Sequence, residues 1–428
     1  MVLIHLGMNS TRLLRMLEII YDMKLVFVLV DALKSLYLTE ENMPFLYNLS
    51  KKGRHIKQII PSPGFCERSE IFSGLDCYDT GNFTAIGYLP ENSPYANDKV
   101  AIQIASLSEK ICKKITRMGF QKWRLYNKRK LNPYRIPFCS LKYFALSEDG
   151  AKQLIPHRDI FDELRNHNKT YTLNAFTSLA DLGPRTTKGI VDFITASMDE
   201  STYFIPYYIG TIDQVGHLYG NDIDSIRPHL QKVDKLLSEI FNLCRSRDYS
   251  FAVLGDHGMI PITQKINIME EVQKLSCKHL RDYEVFYDST TARFWFYNED
   301  ARMIIMELLV NKFSNHGIII NEGNYKDYRV PLDVISKSGK PIYGDIIWVA
   351  NPGVLISPDY FHEGEIQEKG MHGYLFTNNK HSTGLFIASG AKITKTELSI
   401  DYSYAVCGEL CDILEIPQPN INWKRILS

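Results

Sequence analysis

The chain has 428 residues, 45% of them hydrophobic, and 49 basic residues balance 49 acidic ones for a formal net charge of +0. That is ample for a large core, and the length allows two or three domains; it supplies no global basic field that would indicate specific nucleic-acid binding. The 8 cysteines show no paired Cys-x-x-Cys spacing, so neither a zinc ribbon nor a redox motif is indicated. Reduced, buried thiols fit a cytoplasmic protein.

In chain order, residues 1–22 read as an upstream extension. Ser10 to Asp22 form an amphipathic helix with Leu13, Leu14, Leu17, Ile20 and Tyr21 on one side. No apolar run ends in a small-residue cleavage site, and none reaches the roughly 18 residues of a membrane span. The chain from Met23 onward is expected to fold without this extension. Leu25 to Val30 then form an unbroken apolar run, as expected of a parallel strand buried on both faces, and Asp31 follows at once. The next helix puts Phe45, Leu46 and Leu49 on one face, with Gly53 as its stop. A strand from Ile56 to Ile60 leads into Pro61 to Ser69, where Ser62 before Pro63 reads as a helix N-cap. From about 78 to 153 buried strands give way to Tyr, Lys, Arg and Asn, as in Lys122 to Lys130, marking an inserted cap with a solvated basic face. The core resumes with a helix at Ile160 to Leu164 and a strand at Thr170 to Ala175.

The strand Tyr203 to Ile209 delivers Thr211-Ile212-Asp213-Gln214-Val215-Gly216-His217. If a helix starts here, Asp213 and His217 lie four apart on one face, a spacing that suits an ion with oxygen and nitrogen ligands. Ile226, Leu230, Val233, Leu237, Ile240, Phe241 and Cys244 mark a long helix, and the strand Ser250 to Leu254 ends in Gly255-Asp256-His257-Gly258. Three carboxylates thus stand at the ends of three buried strands, where open α/β sheets bind ligands. Helix capping explains any one of them but not the attendant histidines. A second inserted cap, small and α+β, spans about 266–369, with an alternating run from Thr291 to Tyr297 and a helix from Ala301 to Phe313. His372 follows between glycines; His362 and His381 lie near it but do not match its spacing and read as surface residues or as outer partners of the site. Gly384 to Ser389 and a helix from Tyr404 to Leu414 return to the core.

These motifs, read as VLVDAL, MPFLYNLSKKG, EIFSGL, TIDQVGH, GDHGM and MHGY in order, resemble the alkaline phosphatase superfamily and within it the type I phosphodiesterase and nucleotide pyrophosphatase branch. The resemblance implies a doubly wound, mostly parallel α/β sheet with helices on both faces, here as a catalytic domain over 23–428 carrying the two caps. It implies one metal on Asp213, His217 and His372 and a second on Asp31, Asp256 and His257, with zinc expected first and manganese next. Two such ions about 4 Å apart clamp the attacking and leaving oxygens at phosphorus. The implied substrate is a small phosphodiester or nucleotide-like pyrophosphate; a phosphomonoesterase, sulfatase, phosphotransferase or degenerate binding protein is the alternative. The family's nucleophile position is occupied by Gly64. Cys66, near a helix N-terminus and beside Arg68, is then the candidate catalytic residue, with Arg68 and Glu67 as substrate-binding candidates and Ser62 or metal-activated water as substitutes. Ser69 lies too far along the helix to reach the metals. Cys66-Glu67-Arg68-Ser69 lacks the sulfatase signature.

Overall fold

The computed structural model describes residues 23–65, 67–97, 136–137, 139–146, 157–172, 186–362, 367–375 and 379–421. The extension at 1–22, Cys66, the basic run 122–130 and the strand residues 173–175 lie outside them.

The core elements in chain order are β1 (Leu25–Val30), α1 (Pro44–Ser50), β2 (Arg54–Ile60), α2 (Glu67–Ser73), α3 (Ile160–Asn166), β3 (Thr170–Tyr171), α4 (Thr187–Ser197), β4 (Thr202–Ile209), α5 (Thr211–Tyr219), α6 (Ile223–Ser246) and β5 (Ser250–Gly255). A second group follows: β6 (Tyr283–Tyr287), β7 (Thr291–Phe296), α7 (Glu299–Phe313), β8 (Gly317–Ile320) and β9 (Ile346–Ala350). The chain then returns through β10 (Gly384–Ser389), β11 (Thr396–Leu398), β12 (Asp401–Tyr402) and α8 (Val406–Leu414).

The central sheet has eight strands in the order β11-β2-β10-β5-β1-β4-β3, with β12 also on β2. Strands β5, β1, β4 and β3 run parallel, whereas β10 is antiparallel to both β2 and β5. The apolar run of β10 shows that it is buried but not which way it points, because a strand covered on both faces looks alike in either direction.

Every residue of β1 is buried, and alternate side chains feed two cores. Val26, Val28 and Val30 join Leu46 of α1, Ile194 of α4, Ile212 of α5 and Leu230 of α6 on one face. Leu25, Phe27 and Leu29 meet Phe72 of α2, Leu164 of α3 and Leu410 of α8 on the other. Each such fully buried side chain contributes on the order of 1.5–3 kcal/mol, so the middle of the sheet is its most rigid part. That rigidity matters because the candidate site hangs from the ends of β5, β1 and β4.

Strands β6-β7-β9-β8 form a separate antiparallel sheet. Helix α7 begins where the side chain of Asn298 accepts from the Ala301 N–H, two residues earlier than the apolar spacing indicates. It buries Ala301, Ile305, Leu309 and Phe313 at a strict four-residue step. The alternating sequence of β7 predicts a half-buried strand, yet all of it is buried. The reason is tertiary: the hairpin of Ile86–Tyr88 with Phe144–Leu146 packs on it, Tyr88 stacking 5.3 Å from Trp295 and Arg293 Nη1 donating to Ile86 O at 2.5 Å. The hairpin of residues 86–88 and 144–146 and the antiparallel sheet containing β7 therefore pack against each other. No helix among the described residues is long and apolar enough to cross a membrane.

Candidate metal centre

Strands β5, β1 and β4 are neighbours in register, with Leu29 opposite Leu254 and Val30 opposite Ile209. Whatever follows their last residues must therefore emerge side by side at one sheet edge. Asp31 leaves β1 and donates its N–H to Ile209 O at 3.0 Å. Asp256 leaves β5, and Gly210 connects β4 to α5, whose first turn carries Asp213 and whose last turn carries His217. The four-residue spacing does put this pair on one face: His217 Nε2 lies 3.2 Å from Asp213 Oδ1.

His372 comes from far along the chain, just after the short strand Gly370–Met371 that pairs with Ile260–Pro261. Close approach is what admits it. A side chain on Gly370 would put Cβ 2.5 Å from Gly216 O, so only glycine lets this strand pass so near α5. His217 Nδ1–H can then donate to Gly370 O at 2.9 Å, and His372 Nε2 stands 3.4 Å from the same Asp213 oxygen.

The result is two groups, Asp213 with His217 and His372, and Asp31 with Asp256 and His257, each offering ligand atoms within 4.8 Å of one another. They touch through histidine: the His257 and His372 rings stack at 3.9 Å and 13°. His257 Nδ1–H donates to Gly258 O at 2.8 Å, which leaves its Nε2 lone pair facing Asp31 Oδ1 at 3.0 Å. Two acceptors at that separation repel unless a cation sits between them.

Protons alone serve poorly here. Burial, then the adjacent His257, lower the His372 pKa to about 4, so two stacked imidazolium ions are disfavoured. Burial opposes ionisation of Asp213, yet the His217 and His372 imidazoles facing its Oδ1 hold it well below the usual carboxylate range, while Asp213 raises His217 against the effect of burial. Asp213 Oδ1 and His372 Nδ1 are buried without a hydrogen-bond partner among the described residues. A buried anionic oxygen faced by two imidazole nitrogens is the environment a borderline divalent ion completes, so the residues present fit the group.

The supporting shell contains residues that sequence reasoning missed. Tyr208 donates from its hydroxyl to Asp31 Oδ2. Burial, then the Asp31 charge, push that phenol far above its usual range and keep it a donor. Its signal was weak, a tyrosine one residue from the end of a β-prone run. Asp256 Oδ1 accepts from Ala32 N at 3.2 Å and His257 N at 3.0 Å, and Ala32 takes a left-handed φ of 57° directly after Asp31. Neither Asp31 nor Asp256 begins a helix, which removes the capping explanation for both.

The nucleophile region departs from expectation. Helix α2 begins at Glu67, so Ser62 is not an N-cap; Pro63 to Phe65 form bends instead. Gly64 has φ +90°, and a Cβ there would lie 1.8 Å from Phe83 O, because Phe65 N hydrogen-bonds that same carbonyl at 2.9 Å. No other residue type fits that position without moving the backbone. Phe65 packs edge-on to His372 at 5.2 Å. Ser62 lines a small cleft with His257, His372 and Ser382. Arg68 stacks on Tyr208 at 4.8 Å, one residue removed from Asp31, and Ser69 is buried inside α2. His362 is tied to Asp359 at 2.9 Å and faces Glu368 at 3.4 Å, so it belongs to a polar network rather than to either cluster.

Comparison with known proteins agrees with this architecture. Human ectonucleotide pyrophosphatase / phosphodiesterase 5 superposes with a TM-score of 0.64 at 16% identity, covering 94% of this chain and 97% of its own. The murine counterpart gives 0.64 at 14% identity over 95% and 98%. An inactive murine variant in complex with AMP gives 0.63 at 14% over 95% and 97%. No curated protein sequence matches. Residues 25–375 match the family model for type I phosphodiesterase / nucleotide pyrophosphatase, a span that runs from the first core strand past His372. With that match over most of its length and the same fold, the chain belongs to the type I phosphodiesterase / nucleotide pyrophosphatase family.

Proposed function

We propose that the protein is a two-metal-dependent hydrolase of phosphoric esters, acting on phosphodiesters or nucleotide-like pyrophosphates. The observation that carries this reading is the pair of oxygen-and-nitrogen triads side by side at one sheet edge, joined through the stacked His257 and His372. Asp213, His217 and His372 would hold one ion and Asp31, Asp256 and His257 the other, zinc before manganese. Bound there, the ions supply electrostatic stabilisation of charge developing on the phosphoryl oxygens. The chain's own contribution is orientation: Gly258 and Gly370 carbonyls fix two imidazoles with Nε2 toward the site, and Tyr208 and the Ala32 N–H fix two carboxylates. Arg68, over Tyr208, supports a substrate-binding role at the rim. We place 23–428 in one catalytic domain with inserts near 78–153 and 266–369. The thiols of Cys77, Cys244, Cys407 and Cys411 are buried and outside any disulfide, which favours the cytoplasm.

Hydrolysis of bis(p-nitrophenyl) phosphate and p-nitrophenyl phosphate after zinc or manganese loading tests the reading. Diester preference is expected, and a strong monoester preference would remove the substrate class. Near-normal turnover in both Cys66→Ala and Cys66→Ser would leave Ser62 or water as nucleophile. The second reading, a metal-stabilised binder of a phosphorylated ligand, is favoured by one observation, the steric exclusion of any side chain at Gly64. Ligand binding without turnover of any ester would select it.

A further inference from the structure

Lys34 lies three residues past Asp31, only 3% exposed, and it is not part of either metal cluster. Its ammonium sits 4.5 Å over the Tyr37 ring and donates to Asn221 Oδ1 at 2.6 Å. No carboxylate pairs with it among the described residues, and burial alone lowers its pKa to about 8, which leaves it charged at neutral pH. A buried cation without a counter-charge is costly unless something else meets it.

The neighbours are arranged as donors. With Oδ1 committed to Lys34, the Asn221 amide turns Nδ2 toward His381 Nδ1 at 3.4 Å. The imidazole then accepts at Nδ1 and carries its proton on Nε2. The remaining Lys34 N–H groups, the second amide hydrogen and the His381 Nε2–H are all donors. Lys34 and the exposed Lys380 both depress the His381 pKa, after burial, so the local field is positive.

Sequence position and backbone contacts put the three residues near the candidate centre. Asn221 stands four residues past His217, just beyond α5. Ser35 N donates to Thr383 O at 3.0 Å, and Gly258, next to His257, donates to Ser382 O at 2.8 Å. Adding a Cβ to Gly258 would place it 2.0 Å from His381 O, so this backbone is in direct contact with the centre.

We propose that Lys34, Asn221 and His381 form a subsite for an anionic group next to the scissile phosphorus, with a second phosphate as its ligand. The subsite rests on the phosphoric-ester reading above and deepens it, selecting pyrophosphate-linked substrates over simple diesters. Charge-assisted hydrogen bonds from Lys34 and its partners give the specificity.

The test is calorimetric titration of the metal-loaded full chain with AMP and with its non-hydrolysable α,β-methylene diphosphate analogue. Wild type should bind the diphosphate about tenfold more tightly than AMP, the gain expected of one charge-assisted contact. Lys34→Met should cut that ratio to about twofold or less, a loss of one such contact. Asn221→Asp, which keeps the lysine but neutralises it, should cut it likewise and guards against a folding defect in the first variant. A diphosphate no tighter than AMP, or a ratio that survives both substitutions, would overturn the subsite. Turnover of bis(p-nitrophenyl) phosphate reads the hydrolase separately: an intact diphosphate preference without turnover would keep the subsite and remove the hydrolase.

Discussion

The two ligand groups share a chemistry but are held in different ways. Around Asp31, Asp256 and His257 the protein supplies the partners itself: Tyr208, the Ala32 and His257 N–H groups, and the Gly258 carbonyl. Around Asp213, His217 and His372 it supplies the Gly370 carbonyl and leaves Asp213 Oδ1 and His372 Nδ1 without hydrogen bonds among the described residues. The first group is continuous with rigid strands of the sheet centre. The second joins a short helix to a two-residue strand more than 150 positions away in sequence. Without an ion the first should loosen less than the second, because its carboxylates keep their own hydrogen-bond donors even though His257 Nε2 and Asp31 Oδ1 then repel.

The largest effect should come from Asp256→Ala, which removes a candidate ligand and the acceptor for two backbone N–H groups. Activity should fall by about a thousandfold or more, and the buried donors left behind should cost on the order of 1–3 kcal/mol each. Metal analysis with thermal melting checks both, and an undiminished metal content would break the assignment. Asp213→Asn should abolish binding of one ion and leave the other. Because its Oδ1 faces the His217 and His372 nitrogens but accepts no hydrogen bond among the described residues, the stability of the metal-free variant should lie within about 1 kcal/mol of the metal-free wild type. A large loss would show that both groups are equally built into the fold. Tyr208→Phe removes only an outer partner of Asp31 and should lower metal affinity or activity by about 10- to 100-fold.

The smallest effect lies away from the centre. Asp288, in the buried turn between β6 and β7, has its pKa raised to about 7 by burial, with Arg293 opposing. Its folded value exceeds the ordinary 3.8, so the folded chain holds this proton more tightly. That stability is fully present below the unfolded value and is lost as pH rises through about 7. Wild type should therefore melt a few degrees lower at pH 8 than at pH 5.5 from this group, and Asp288→Asn should flatten the difference. An unchanged pH profile in the variant would assign the dependence to the metal centre instead.

Much of this protein was readable in order. Buried strands announce themselves as apolar runs, so the positions of Asp31, Asp213 and Asp256 after three of them, and the shared face of Asp213 and His217, follow from local periodicity. The partnership of His372 with Asp213 came from family resemblance, because nothing local links residues so far apart. The rest required the folded chain. Strand order decides which carboxylates become neighbours, and the direction of β10 does not show in its composition. Ser62 reads as a cap because Ser-Pro commonly starts helices, but Gly64 and the Phe83 carbonyl hold Pro63 to Phe65 in bends. Full burial of β7 depends on a hairpin from elsewhere in the sequence. Local sequence sets which residues are apolar and where the carboxylates fall along the chain; only packing of distant segments decides which side chains share a site, since those contacts depend on backbone approach that no single stretch encodes.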